Sequence, residues 1–237
     1  MRRPTSSLAI CALPRTGSSL LGALLHSSGA VGWPGEWFWR DDRERLSREW
    51  HVIRFDDYLA RVLDSGTGAN GVFAVKLMWG YVHELLFELR RLARDYDADD
   101  LAVLRRFFPD PGFVWLRRED FVAQAVSWAK AAQTDQWAAH QQPQREPEFA
   151  FEQVDALYQL ARVHDGCWRR WFAEQRIEPH AVVYEELAAE PEPVAREVLS
   201  WLGLEPVLPL AVPPDLTPQA DELSAEWAAR YRELAGL

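Results

Sequence analysis

Leu8-Ala9-Ile10-Cys11-Ala12-Leu13 runs directly into Pro14-Arg15-Thr16-Gly17-Ser18-Ser19, with Leu20-Leu21 opening the segment behind it. A short apolar run stopped by a turn reads as a buried strand. From Ser18 to His26, Leu20, Leu21, Leu24 and Leu25 keep helical spacing. The unit is strand, loop, helix. A glycine in such a loop lets backbone N–H groups approach an anion, and the helix N-terminus adds partial positive charge. Thr16, Ser18 and Ser19 bring hydroxyl donors, and Arg15 a fork of charge-assisted donors. Together they have the chemistry of a phosphate-type cradle at the carboxyl end of a strand. It is not the Walker A pattern, because no Gly-Lys-Ser/Thr is present. An ordinary N-capped helix with a serine-rich start fits the same residues.

Outward from this unit, strands and helices alternate. Gly29, Gly32, Pro34 and Gly35 mark a loop. Arg40 to Asp64 is charged and helix-like, with Trp50, Ile53, Leu59 and Leu63 as its apolar side; Ser65 to Gly71 is a loop. Val72–Met78 reads as a second strand and Tyr81–Arg94 as a helix. Pro109-Asp110-Pro111-Gly112 is a turn before a third strand, Phe113–Leu116, and a helix from Glu119 to Gln133. Gln141–Pro147 is an exposed loop, and Phe151–Gln175 a long helix. Ala181–Tyr184 is a fourth strand, Pro193–Leu202 a helix closed by Gly203, and Ala220–Leu234 a last helix behind a proline-rich stretch. The expectation is an α/β fold: a single P-loop-like domain over residues 1–237, its central parallel sheet flanked by helices.

The composition agrees. The chain has 237 residues, 48% hydrophobic and 26% charged, the balance of a soluble globular protein rather than a disordered, collagen-like or disulfide-scaffold chain. No apolar run approaches the roughly 18 residues of a membrane span. A net charge of −10 argues against a nucleic-acid partner or an anionic membrane surface. Met1-Arg2-Arg3-Pro4 resembles a signal-peptide start, but the apolar stretch behind it is too short for an h-region. Cys11 and Cys167 form no metal or redox motif and read as reduced, buried thiols of a cytoplasmic protein. The histidines show no ligand spacing, so no metal is expected. Twelve tryptophans are expected mostly in the core, although flat aromatic faces also suit sugar rings.

Pro14 to Leu21 resembles the 5′-phosphosulfate loop of sulfotransferases. Gly32-Trp33-Pro34-Gly35-Glu36-Trp37-Phe38, Phe73 to Trp79, and Val114-Trp115-Leu116-Arg117-Arg118 with Gln124-Ala125-Val126-Ser127 resemble segments of the bacterial trehalose 2-sulfotransferase family. Val183 to Leu187 and Leu199 to Leu204 resemble the late segment of many sulfotransferases. The resemblance implies a sulfotransferase dependent on 3′-phosphoadenosine-5′-phosphosulfate (PAPS), with a carbohydrate or glycolipid acceptor of trehalose type and no metal. It implies that Arg15, Thr16, Gly17, Ser18 and Ser19 hold the 5′-phosphosulfate, that Arg118 and Ser127 clamp the 3′-phosphate, and that Tyr184 meets the adenine ring. It implies Glu36 as general base, partly desolvated by Trp33, Trp37 and Phe38, with His26 and His83 as runners-up. Arg15 and Lys76 would stabilise the oxygens at sulfur and the leaving phosphate. Trp37, Phe38 and Trp79, with Trp39 and Trp137, would form an aromatic sugar-binding wall. One departure stands out: the glycine- and arginine-rich late loop of animal cytosolic sulfotransferases is absent, since the only glycine after Gly203 is Gly236.

Two other classes compete. A non-catalytic domain that binds an adenosine bisphosphate or another anion, as a sensor or partner, needs the cradle but not Glu36. A kinase-like phosphotransferase lacks its Walker lysine here and any evident magnesium-binding carboxylate motif. A homodimer is an open alternative to the monomer.

Overall fold

The computed structural model describes residues 3–137, 141–212 and 221–237. Its centre is a sheet of four strands, β1 (Ser6–Ala12), β2 (Val72–Met78), β3 (Pro111–Arg117) and β4 (His180–Val183), in the order β2-β1-β3-β4. All neighbouring pairs are parallel. Leu8, Ile10, Cys11 and Ala12 are wholly buried, as expected of a strand covered on both faces. The chain leaves β1 for β2 on one side and returns to β3 on the other. The order therefore switches between β1 and β3, where a crevice opens outside the carboxyl ends of such a sheet.

The helices are α1 (Ser18–Ser27), α2 (Arg40–Glu49), α3 (Phe55–Gly66), α4 (Trp79–Ala93), α5 (Asp100–Phe107), α6 (Phe121–Thr134), α7 (Phe151–Glu174), α8 (Tyr184–Ala189), α9 (Pro191–Trp201) and α10 (Glu222–Ala235). The expected helix over Arg40–Asp64 is two helices. His51 takes a left-handed φ of 53°, and the Val52 N–H turns back to the Ser47 carbonyl at 3.0 Å. Ile53, read as part of the apolar side, is fully exposed in that break. α3 also runs to Gly66, into the expected loop. α5 and α8 were not expected. The Asp99 carboxylate starts α5 by accepting the Ala102 N–H at 2.7 Å. Tyr184, read as the end of the fourth strand, is the first residue of α8. Ala220, the expected start of the last helix, lies outside the described residues.

Trp168 of α7 is fully buried and donates its indole N–H to the Ala12 carbonyl at 3.1 Å, tying α7 over the carboxyl end of β1. A second apolar cluster joins α6, α7 and α10 through Val126, Val154, Trp227 and Tyr231. Arg232 of α10 reaches both carboxylate oxygens of Asp120, at 2.9 and 2.8 Å, so α10 braces the turn between β3 and α6. Cys11 is buried as expected, whereas Cys167 is only half-buried. Among the described residues no helix is long and apolar enough to cross a membrane, and no group of three His, Cys, Asp or Glu could hold a metal.

Candidate active site

The loop behind β1 sits at the switch. Arg15 and Gly17 both take left-handed conformations, φ 64° and 83°, on either side of Thr16. Alternation of this kind builds anion-binding concavities from backbone N–H groups. Thr16 is fully buried and its hydroxyl donates to the Leu13 carbonyl at 2.8 Å. Its side chain therefore braces the loop, a correction to its expected role as a hydroxyl donor to the ligand. Ser18 is buried, while Ser19 is exposed at the start of α1. A Cβ on Gly17 would stand 2.6 Å from the Tyr184 ring, so that ring lies directly on the loop.

The β3–α6 connection closes over the same point. Arg118 donates to the Arg15 carbonyl at 3.2 Å and lies 4.4 Å over the Tyr184 ring. Its Nε is buried and makes no hydrogen bond, with Glu185 Oε1 3.7 Å away. Arg15 donates from Nε to the Ser127 hydroxyl at 3.0 Å and from Nη1 to the Trp137 carbonyl at 2.8 Å. Arg15, Arg118, Ser127, Gly17 and Tyr184 are thus brought together. Burial holds the Arg15 guanidinium below its ordinary value, and the Arg118 charge lowers it further while Tyr184 opposes. Burial likewise lowers Arg118. Two guanidinium groups side by side in a half-dry crevice destabilise each other's charge, and a bound anion would relieve both. Arg117 turns elsewhere, to Asp165 at 3.5 Å and the Trp115 ring at 5.1 Å.

The second half of the site stands at the β2 edge. Gly35 pairs with Val75 in parallel, and the Lys76 N–H donates to the Gly35 carbonyl at 2.9 Å. This short bridge carries Glu36 to the sheet's carboxyl end. There its Oε1 lies 3.1 Å from Lys76 Nζ, which also reaches the Ser19 hydroxyl at 3.4 Å. Tyr81 donates its hydroxyl to the Lys76 carbonyl at 2.9 Å. Burial pushes that phenol well up, and the Glu36 carboxylate adds to the shift.

The aromatic wall needs correction. Trp37 and Phe38 are core residues, 9% and 5% exposed. Trp37 donates to the Ala74 carbonyl at 3.3 Å and accepts the Tyr58 hydroxyl at its own carbonyl; Phe38 packs against Phe55, Tyr58 and Phe108. Trp79 is half-buried and meets Trp168 and His83 edge-on. His26 likewise packs against Trp33, its ring centroid 5.2 Å away. Of the rings expected around the acceptor or the base, Trp33, Trp39 and Trp137 are exposed. Two positioning residues were not expected. Gln124, fully buried, donates to the Pro14 carbonyl at 2.8 Å. Glu185 accepts the N–H groups of Glu119 and Asp120, both at 3.2 Å, joining β4–α8 to β3–α6. Gln124 lay on the same helix face as Ser127, one turn earlier, and that spacing was its available signal.

The family profile of Stf0 sulphotransferase matches residues 7–234 of the chain. A trehalose 2-sulfotransferase of Mycobacterium tuberculosis is 31% identical over 98% of this chain and 96% of its own. One of Mycolicibacterium smegmatis is 32% identical over 97% and 95%. The crystal structure of a sulfotransferase from Alicyclobacillus acidocaldarius superposes with a TM-score of 0.54, covering 100% of this chain and 97% of its own at 16% identity, a likeness of fold.

Proposed function

The chain belongs to the Stf0 sulphotransferase family, and from that premise we propose that it moves a sulfuryl group from PAPS to a hydroxyl of a trehalose-like carbohydrate or glycolipid, with Glu36 as general base. The reading takes residues 1–237 as one sulfotransferase domain and, from the two unpaired cysteines, a cytoplasmic one. The observation that carries it is the Glu36–Lys76–Ser19 contact beside the Arg15–Gly17 loop. A carboxylate at the rim of a cationic crevice would repel an anionic donor. It is useful there if it faces the acceptor.

The crevice suits an adenosine 3′,5′-bisphosphate group. Arg118 Nε is a buried donor without an acceptor, and Arg15, Ser127 and the left-handed loop surround it. PAPS supplies the activated sulfuryl group. In the proposed transfer Glu36 takes the proton of the sugar hydroxyl while its oxygen bonds to sulfur. The bond from sulfur to the phosphate oxygen breaks, and adenosine 3′,5′-bisphosphate leaves. Lys76, on Glu36 in this state, is placed to move its charge toward the leaving oxygen, and Arg15 toward the non-bridging oxygens. Such cations act most where charge develops, in the transition state. Tyr184 and Arg118 form the flat and charged walls for the base and the 3′-phosphate.

Incubation with PAPS and a panel of sugars, read by mass, tests the proposal. Sulfated trehalose or a related glycan is the expected product. Calorimetry should find adenosine 3′,5′-bisphosphate binding without magnesium. Equal affinity for ATP, or strict magnesium dependence with no sulfated sugar, would overturn the reading.

A further inference from the structure

Arg118, the arginine of the crevice with a buried donor to offer, stands among acids. Its Nε meets no hydrogen-bond acceptor among the described residues. Glu185 Oε1 is 3.7 Å from it, and Asp120 follows Arg118 by two residues in the same turn. Burial lowers the Arg118 guanidinium, and Tyr184, Glu185 and Asp120 oppose that shift, so both carboxylates act on it across the turn. Either carboxylate, turned onto Arg118, would take the place of a ligand phosphate, because the guanidinium fork fits both groups.

Each acid is committed elsewhere. Glu185 accepts the Glu119 N–H at one oxygen and the Asp120 N–H at the other, both at 3.2 Å. Asp120 caps α6 by accepting the Ala123 N–H at 2.9 Å, and Arg232 of α10 reaches its two oxygens at 2.9 and 2.8 Å. Arg232 comes from 112 residues further along the chain. Its place does not depend on that ion pair alone. Trp227 and Tyr231 of α10 pack with Val122 and Val126 of α6, and Lys130 holds Asp221 at the other end of α10 at 2.7 Å.

We propose that Arg232 is a positioning residue of the donor crevice: it holds the Asp120 carboxylate away from Arg118 and so keeps that guanidinium open to a phosphate of the ligand. The inference rests on the sulfuryl-transfer reading for the identity of that ligand, while the ion-pair geometry stands without it. A mere brace and a restraint on charge differ in sign. If the pair only braces the turn, removing either partner breaks it alike. If it restrains a competing charge, removing Arg232 weakens anion binding and removing the charge of Asp120 does not. Asparagine caps a helix as well as aspartate, so Asp120→Asn takes the charge and leaves the start of α6 in place.

Calorimetry with adenosine 3′,5′-bisphosphate and with inorganic pyrophosphate tests this on wild type, Arg232→Ala, Arg232→Lys, Asp120→Asn and the double variant Arg232→Ala/Asp120→Asn. The two side chains are 40% and 41% exposed, so none of these changes opens the core. Arg232→Ala should bind the bisphosphate about five-fold more weakly, the upper range for a part-exposed charge pair. Arg232→Lys should stay near wild type. Asp120→Asn should bind at least as tightly as wild type, and the double variant should match it. The ratio of wild type to Arg232→Ala should shrink as salt rises from about 0.01 M to about 0.1 M, over which the Debye length falls from roughly 30 Å to 10 Å. In turnover, the KM for PAPS should rise in Arg232→Ala with kcat unchanged, the mark of lost uniform binding. Equal losses in Arg232→Ala and Asp120→Asn, a double variant as weak as Arg232→Ala, or no loss in Arg232→Ala would overturn the inference. The expected affinities in a protein that sulfates no sugar would support the role of Arg232 and refute the transfer reading. Sulfated product with an unchanged KM for PAPS in Arg232→Ala would do the reverse. A wild type that binds neither the bisphosphate nor pyrophosphate would overturn both.

Discussion

Replacing Glu36 by glutamine isolates proton transfer from everything else that side chain does. In the folded chain Glu36 Oε1 forms an ion pair with Lys76 Nζ at 3.1 Å, with the two side chains 30% and 12% exposed. Glutamine keeps the length, the planar end and a carbonyl oxygen facing the ammonium. What it loses is the charge of a half-exposed ion pair, worth about 1 kcal/mol or less. For a chain of 237 residues that corresponds to a fall in Tm of about 2–4 °C at most. The neighbouring bridge is backbone, Lys76 N–H to Gly35 carbonyl at 2.9 Å, and is untouched. The crevice proposed for the donor is built from Arg15, Arg118 and Ser127, which make no recorded contact with Glu36, so affinity for adenosine 3′,5′-bisphosphate should hold. Turnover, in contrast, should fall by about 10²–10⁴-fold, the usual worth of a general base. Such a loss equals roughly 3–5 kcal/mol of transition-state stabilisation, well above anything the ion pair contributes to folding. Three measurements on one preparation check this: sulfated trehalose by mass under saturating PAPS, bisphosphate affinity by calorimetry, and a thermal melt. Turnover within a few-fold of wild type would refute the assignment and leave His26 and His83 as the next residues to replace. A collapse of bisphosphate affinity would refute it differently, by showing that the Glu36–Lys76 pair belongs to the donor site.

Arg118→Ala should weaken adenosine 3′,5′-bisphosphate binding by about 1.5–3 kcal/mol, or roughly 10–100-fold, by calorimetry. Arg117→Ala should leave that affinity near wild type and lower Tm instead, because it strips a cation from Asp165, which is 4% exposed; the reverse pattern would swap their roles. Gly17→Ala should cost about 1–2 kcal/mol from its positive φ alone. Its new methyl also strikes the Tyr184 ring, so Gly17→Ala and Tyr184→Ala should lose less stability together than the sum of the two, and strict additivity in denaturant melts would deny the contact. Burial pushes the Asp221 carboxyl up, but hydrogen bonds from Lys130 and Ser224 outweigh it and hold it at about 2. A carboxylate depressed in the folded state stabilises above its ordinary value near 3.8 and loses that contribution as the pH falls toward 2. The Tm gap between wild type and Lys130→Met should therefore be widest above pH 4 and close on acidification; a gap constant down to pH 2 would show that the contact contributes no pH-linked stability.

The alternation of buried runs and helical faces was readable because those segments satisfy local and tertiary demands with one pattern. β2 was placed correctly at both ends, and α7 within one residue, for that reason. Arg40–Asp64 misled because helical spacing continues across a break that contains neither glycine nor proline. The break is made by tertiary contacts: the Trp50 ring packs 5.6 Å from that of Tyr58, and His51 absorbs the left-handed turn. Asp56 and Asp57, acidic residues in the first turn of α3, were the signal of a new helix start. α5 carried a similar mark in its Asp99 cap.

Within the site, charge was legible and aromatic character was not, and the difference is physical. A lysine at the end of an apolar strand, or an arginine in a turn behind one, is costly to bury unless something answers its charge, so its type alone restricts where it sits. Lys76, Glu36, Arg15 and Arg118 duly gather at the carboxyl edge of the sheet. A tryptophan or phenylalanine is stable both in a core and on a binding face, and the sequence between Glu36 and Arg40 offers three in a row. Which of them faces solvent is decided by the bridge from Gly35 to Val75, which fixes the direction in which the segment after Gly35 leaves the edge of the sheet. That direction sends Trp37 under the sheet edge and Phe38 among Phe55, Tyr58 and Phe108, and leaves Trp39 outside against Tyr81. The side of the site proposed for the acceptor is therefore shaped by one backbone pairing, which also positions Glu36 and Lys76. A change that broke the Gly35–Val75 pairing would move Glu36 and Trp39 together, and lose the proposed base and the exposed ring beside it in one step.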